Sequence, residues 1–319
     1  MNTQEVKSVS PGITEISVIM LTYNHADYLK QAIEGILAQK TDFNIELIIC
    51  NDHSPDHSDD VINELAKAYP DIIRYFKHEK NIGFVENQRF AFSKVRGNYI
   101  AYCEGDDYWT DENKLQFQFD FLEKNPEYSM VTARNLLLYQ NDHKITNDGK
   151  EYMFHGKEYI DYTLDTFFRQ RPTQTFTYLI RKKWLDEKWI DIYPDYRDLY
   201  YFYHLLELGR GRCYNKVIGV YRLHDGGVFS SLENEHKYLT SIGIFTNIKN
   251  VNNDGRADEQ ILKDMDQLIN IYYYKKEFKI PVINKKLYSA IYNRFLISKN
   301  LKTCLVQLLK IVKYSIHRT

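Results

Sequence analysis

The feature that most limits what this chain can fold into is an alternation near its N-terminus. Short β-branched apolar runs give way to helical patterns four times in succession. Residues 16–21, 45–50, 72–76 and 99–103 read as buried strands, being short, apolar and bounded by polar turns. Residues 27–39, 58–68 and 85–95 read as the helices between them; in the first, Leu29, Ile33, Ile36 and Leu37 recur at helical spacing. Each helix is long enough for a right-handed crossover, so the pattern predicts an α/β domain whose sheet is mostly parallel. Ligands of such sheets bind outside the carboxyl ends of the strands. Three polar clusters, Thr22-Tyr23-Asn24, Asn51-Asp52 and Glu104-Gly105-Asp106-Asp107, each follow a strand directly and should converge on one edge.

Further along, residues 111–124 read as a helix with Leu115, Phe119 and Leu122 on one face, and residues 128–132 as a strand. Residues 140–150 are polar and loop-like, residues 176–180 form another strand, and a short helix carries Trp184. Residues 199–208 are an apolar helix that ends at Gly209-Arg210-Gly211. Residues 217–221 form a strand leading into Arg222-Leu223-His224. The polar run 251–258 marks a boundary, giving an α/β catalytic domain over residues 1–250 and a helical region over 251–319 that is basic from about 280. Residues 280–319 hold eight Lys or Arg and no Asp or Glu, with an apolar stripe of Leu301, Leu305, Leu308, Leu309 and Val312. Such a stripe lies on an anionic membrane surface or packs against protein, the domain itself or a second subunit.

A net charge of −1 over 319 residues gives no global argument for nucleic acid as partner. The 27 tyrosines offer faces for sugar rings and bases, and equally follow from a composition rich in Tyr, Asn, Lys and Ile. Four cysteines stand far apart without CxxC spacing, which predicts reduced thiols and no zinc site. The first fifteen residues lack an apolar core, which predicts no signal peptide, and no apolar run reaches the length of a membrane span. The expectation is a cytoplasmic protein, with peripheral contact at the inner face of the membrane through the basic stretch.

The acidic turn carries the chemistry. Three carboxylates within four residues, just after a buried strand, repel one another unless a cation sits among them. Hard divalent ions such as Mg²⁺ or Mn²⁺ suit carboxylate oxygens and also hold phosphate oxygens. A solvated acidic turn is the plain alternative; the strand before it and Tyr108-Trp109 after it argue for a site.

Taken in order, the short motifs of residues 14–230 resemble a family 2 glycosyltransferase of the GT-A fold, of the kind that builds bacterial surface glycans. They are Ser17-Val18-Ile19 with Thr22-Tyr23-Asn24; Asn51-Asp52-His53-Ser54 with Asp56; Asn81-Ile82-Gly83; Gly97-Asn98-Tyr99-Ile100-Ala101; Glu104 to Trp109; Lys114-Leu115; and Tyr221-Arg222-Leu223-His224. The resemblance implies an inverting transfer of sugar from a nucleoside diphosphate to a hydroxyl of a glycan or glycolipid acceptor, with Mn²⁺ or Mg²⁺ as cofactor.

Residue by residue, it implies that Thr22, Tyr23 and Asn24 surround the base. Asp52 accepts the base imide N–H, favouring UDP or dTDP, although Asn51 stands where relatives carry a first acid. Gly83 and Asn87 belong to the turn and helix start beside the nucleotide. Asp106 and Asp107 hold metal and ribose, and Glu104 stands where many relatives have Asp. Arg222 faces the diphosphate and His224 helps hold the metal. Counting back from Gly209 puts the catalytic base at Asp198, with Asp195 as the alternative, and Arg197 occupies the place of the usual Glu. Each residue also has a plainer reading: Asp52 as a turn cap, Asp198 as a helix N-terminal acid, His224 as a structural histidine. Two other functions stay open, a catalytically inactive sugar-nucleotide-binding module and a nucleotidyltransferase. The absence of a Gly-rich phosphate loop after the first strand weighs against the latter.

Overall fold

The structure is a computed structural model of the chain. It describes residues 4–6, 14–167, 174–185, 192–193, 197–227, 233–274, 292–294 and 296–298. The chain divides into two compact units, Met1–His224 and Asp225–Thr319.

In the first unit, β1 (Gln4–Val6), β2 (Thr14–Thr22), β3 (Asn44–Asn51), β4 (Ile73–Lys77) and β5 (Tyr99–Tyr102) alternate with α1 (Ala26–Leu37), α2 (Ser58–Ala68) and α3 (Phe84–Ser93). The strands order as β1-β4-β3-β2-β5, and β4, β3, β2 and β5 are parallel. β2 is buried along almost its whole length, which is why it reads as a continuous apolar run rather than an alternating one: both of its faces are covered. Helix α1 buries Leu29, Ala32, Ile33 and Ile36, a stripe spaced i, i+3, i+4, i+7, into the same core as Ile16, Val18 and Met20. Away from the ligand edge, Glu46 is wholly buried and satisfied: it accepts from Ser17 Oγ at 2.5 Å, Arg74 Nη1 at 2.7 Å and the Arg96 amide at 2.9 Å.

The second half of this unit adds β6 (Tyr108–Trp109), α4 (Lys114–Lys124), β7 (Tyr128–Tyr139), β8 (Lys144–Asn147), β9 (Tyr159–Tyr162), α5 (Leu164–Phe167), β10 (Leu179–Arg181), α6 (Asp198–Leu208) and β11 (Arg210–Leu223). The sheet continues β5-β10-β7-β11-β6, with β8 beside β7 and β9 beside β11. β7 and β11 run parallel, while β10 is antiparallel to both its neighbours.

Three expectations shift here. β11 begins at Arg210, not near residue 217, because Arg210 and Arg212 pair with Asp161 on β9 and Arg212 lies over the Tyr159 ring at 3.6 Å; a strand stabilised by charge looks like a loop in sequence. The polar run 140–150 contains β8, hairpinned onto β7. Residues 175–177 form a 3-10 turn, and the strand after it is Leu179–Arg181.

The second unit contains α7 (Asn234–Asn252) and α8 (Ala257–Tyr274). Residue 250 lies within α7, and the polar run 251–258 covers the end of α7, the turn over 253–256 and the start of α8. Most of the basic stretch after residue 280 lies outside the described residues; within it, Arg294 is paired with Asp266 of α8 at 2.5 Å. Among the described residues no helix is long and apolar enough to cross a membrane. Cys50, Cys103 and Cys213 are buried free thiols.

Candidate active site

The chain passes from β2 to β3 and β4 on one side and returns to β5 on the other, so β2 and β5 form the switch point of the parallel sheet. There the loops leaving two adjacent strands diverge and leave room for a ligand. Register places the acidic turn beside the first loop: the Cys103 amide donates to Ile19 O at 3.1 Å and the Gly105 amide to Leu21 O at 3.2 Å. The turn after β3 braces the same loop. Ser54 Oγ accepts from the Asn24 amide at 3.0 Å, Ser58 Oγ from the His25 amide at 3.2 Å, and Asp56 Oδ2 from the Ala26 amide at 2.9 Å. These contacts hold Asn24 at a φ of 61°, a left-handed conformation that Asn tolerates better than most residues. The three polar clusters do converge.

Asp106 is the focus. Its Oδ2 lies 3.0 Å from His224 Nε2 and 3.8 Å from His25 Nε2. One ligand atom from each of the three side chains falls within a 4.8 Å cluster, the arrangement a metal ion would need. Hydrogen bonding from His224 and the nearby His25 hold the Asp106 carboxyl below its ordinary pKa against the opposing effect of burial. Glu104 behaves in the opposite way: burial first, then the charges of Asp106 and Asp198, push its carboxyl up to about 8. Its Oε2 is buried with no hydrogen-bond partner among the described residues, as are Thr22 Oγ1 and His25 Nδ1. Buried orphan polar atoms are uncommon, and three within one set of adjoining loops fit a site built to bind a ligand. A mixed set of imidazole nitrogen and carboxylate oxygen suits a divalent transition ion.

Other predicted residues point elsewhere. Asp107 turns inward, 2% exposed, and its Oδ1 accepts from the Arg222 amide at 2.8 Å, so it ties the turn to β11 instead of joining the Asp106 cluster. Arg222 is similarly spent. Its Nε donates to Asp106 O at 2.8 Å, Nη1 to Gln140 Oε1 at 2.6 Å and Nη2 to Gln31 Oε1 at 2.7 Å, and it lies over the Tyr28 ring at 4.5 Å. Asn87 is buried, bridging His78 Nε2 and Cys50 O. Asp52 takes the cap role, accepting from the Ile82 amide at 2.7 Å and the Gly83 amide at 2.9 Å, which fixes Gly83 at a φ of 84°. Thr22 is buried, whereas Tyr23 is 47% exposed and free to present its face.

Asp198 opens α6 and is fixed by Thr175, whose Oγ1 donates to its Oδ2 at 3.0 Å. Its charge is felt by Glu104, Tyr178 and Tyr221, so it belongs to the same pocket of acids. Asp195 lies outside the described residues. Sequence reasoning missed His25, Gln31, Gln140 and Thr175. Of these only His25 had a signal, as a histidine in a post-strand loop facing an acidic turn.

A parallel half-sheet with an acidic turn at its switch point, extended by a mixed half, is the GT-A architecture. The family model for Glycosyl transferase family 2 matches residues 17–186, and the chain belongs to that family. An uncharacterised protein of Mycobacterium bovis is 29% identical over 218 residues, 68% of this chain. The match covers 61% of that relative's length. Among solved structures, TarS 1–349 of S. aureus, in complex with UDP-GlcNAc, superposes with a TM-score of 0.63 at 17% identity, covering 89% of this chain and 81% of that one. The mannosyltransferase PcManGT of Pyrobaculum calidifontis, in complex with GDP-Man and Mn²⁺, does so with a TM-score of 0.56 at 14% identity, covering 97% and 83%. At these identities the two structures speak to the fold.

Proposed function

We propose that this protein transfers a sugar from a nucleoside diphosphate, UDP or dTDP, to a hydroxyl of a glycan or glycolipid acceptor, with inversion at the anomeric carbon. The observation that carries this reading is the position of Asp106, flanked by two histidines at the switch point where a nucleotide binds in sheets of this order.

The base stacks on the exposed face of Tyr23. Each oxygen of Asp52 accepts one backbone amide and keeps a lone pair, enough to take an imide N–H as well. Asp106 and His224 would hold a divalent ion, which when bound neutralises charge on the departing diphosphate. Asp107 and Arg222 keep that turn in place: one accepts a β11 amide, the other donates to the Asp106 carbonyl. Asp198 takes the proton from the acceptor hydroxyl as it attacks. Its Oδ2 accepts from Thr175 Oγ1 at 3.0 Å and its Oδ1 from the Leu199 amide at 2.8 Å, and each oxygen keeps a lone pair for the acceptor hydroxyl. The basic stretch after residue 280 is the part we assign to an anionic membrane face, where a lipid-linked acceptor would be met.

The test is a thermal-shift screen of UDP-, dTDP- and GDP-sugars with and without Mn²⁺. A true donor at one hundred times its Kd stabilises by about 2.7 kcal/mol, a rise of roughly 5–10 °C for a unit of this size. If no uridine or thymidine diphosphate sugar moves the melt in either condition, the donor reading fails.

A further inference from the structure

We infer that His25 is a third protein ligand of the metal site and that it makes the site selective for a first-row transition ion such as Mn²⁺ over Mg²⁺. This rests on the donor-site reading above, which assigns the ion to Asp106 and His224 alone.

His25 stands between the loop after β2 and the start of α1, and its placement is over-determined. Its amide donates to Ser58 Oγ at 3.2 Å and its carbonyl accepts the Tyr28 amide at 2.8 Å and the Leu29 amide at 3.0 Å. The backbone is therefore fixed by hydrogen bonds that make no use of the imidazole. The ring meets His224 edge-on, with centroids 6.1 Å apart, and both histidines aim Nε2 at the same Asp106 oxygen. A structural histidine of the core has its nitrogens hydrogen-bonded; here, among the described residues, Nδ1 has no partner and Nε2 makes only the 3.8 Å approach to Asp106. A side chain held so firmly and bonded so little is accounted for by a ligand in front of it.

Two imidazoles and one carboxylate change which ion is preferred. Mg²⁺ demands hard oxygen ligands and gives up water reluctantly, whereas imidazole nitrogen suits first-row transition ions. A site of Asp106 and His224 alone, completed by diphosphate oxygens, would discriminate weakly. A second imidazole from His25 would raise the preference.

Pulsed EPR of Mn²⁺ bound to the wild-type protein with UDP counts histidine nitrogens, and isothermal titration gives Mn²⁺ and Mg²⁺ affinities for wild type, His25→Ala and His25→Gln. Two distinct histidine couplings in the wild type are expected, one of them lost in each variant. Mn²⁺ affinity is expected to fall at least about tenfold, with the Mg²⁺ affinity falling much less. One coupling in the wild type, or variants that bind Mn²⁺ as tightly as wild type, would overturn the inference and leave the donor reading intact. Absence of Mn²⁺ binding by the wild type would overturn both the inference and the metal assignment, while UDP binding in EDTA reports separately on the donor site. Because the wild-type spectrum decides by itself, a variant that fails to fold does not rescue the idea.

Discussion

Arg222→Lys separates two roles for the same cation. Had Arg222 faced the diphosphate, lysine would preserve its charge, and the main effect would be weaker, salt-sensitive nucleotide binding. The structure gives it a different load. Its guanidinium donates to Asp106 O, Gln140 Oε1 and Gln31 Oε1, and its plane covers Tyr28. Lysine has one nitrogen and no planar fork, so it keeps at most one of these contacts in good geometry. Two lost hydrogen bonds to a charged donor, at about 1.5 kcal/mol each, cost about 3 kcal/mol. The side chain is 6% exposed, so water does not replace the partners easily. That loss lowers the melting temperature by roughly 6–12 °C. Release of the Asp106 carbonyl loosens the turn, so Mn²⁺ affinity should fall in parallel. The assay is a thermal melt together with Mn²⁺ and UDP titrations at two ionic strengths. An unchanged melt with salt-dependent loss of UDP but not of uridine would refute the reasoning and return Arg222 to the diphosphate.

Three further substitutions probe other parts of the site. Asp198→Asn should lower turnover at least about a hundredfold while donor affinity by titration changes little; full activity would move the base elsewhere. Gly105→Ala places a methyl 2.9 Å from His25 Nδ1, 2.9 Å from Thr22 Oγ1 and 3.1 Å from Leu29 Cδ2, so the acidic turn and the His25 ring must move apart. A destabilisation of about 1–3 kcal/mol by denaturant titration is expected, with weakened Mn²⁺ binding; unchanged Mn²⁺ affinity would argue that His25 is not a ligand. Lys114 is wholly buried against the Trp109 ring, donates to Gln118 Oε1 at 2.9 Å, and is pushed by burial from 10.5 down to about 7. Above pH 7 the native lysine is neutral while the unfolded one still binds a proton, so this group's contribution to stability rises with pH up to about 10.5. Wild type should therefore gain on Lys114→Met between pH 7 and pH 9.5, by roughly 1.4 kcal/mol for each pH unit crossed; parallel urea midpoints across that range would contradict it.

What the sequence reveals of this protein divides along a physical line. The parallel half is written in runs such as residues 16–21, because a strand covered on both faces is mostly apolar and takes a polar residue such as Ser17 only with a buried partner. The first part of β11 is hidden for the opposite reason: Arg212 pairs with Asp161 of β9, and a charged pair so far apart in the chain leaves no periodicity to read. The site shows the same contrast. The acidic turn is visible because three carboxylates stand together in the chain. Which of them faces the ligand depends on where Arg222 arrives from β11, more than a hundred residues later, to engage the Asp107 carboxylate with its amide. With Asp107 turned inward, one carboxylate of the Asp106-Asp107 pair points away from the cluster, and in the ligand set we propose the second imidazole comes from His25, at the start of the first helix. The acidic motif thus marks the place, and the long-range contact decides the ligand set. A relative with the same turn but no residue equivalent to His25 would be expected to bind its metal more weakly and to discriminate less between Mn²⁺ and Mg²⁺.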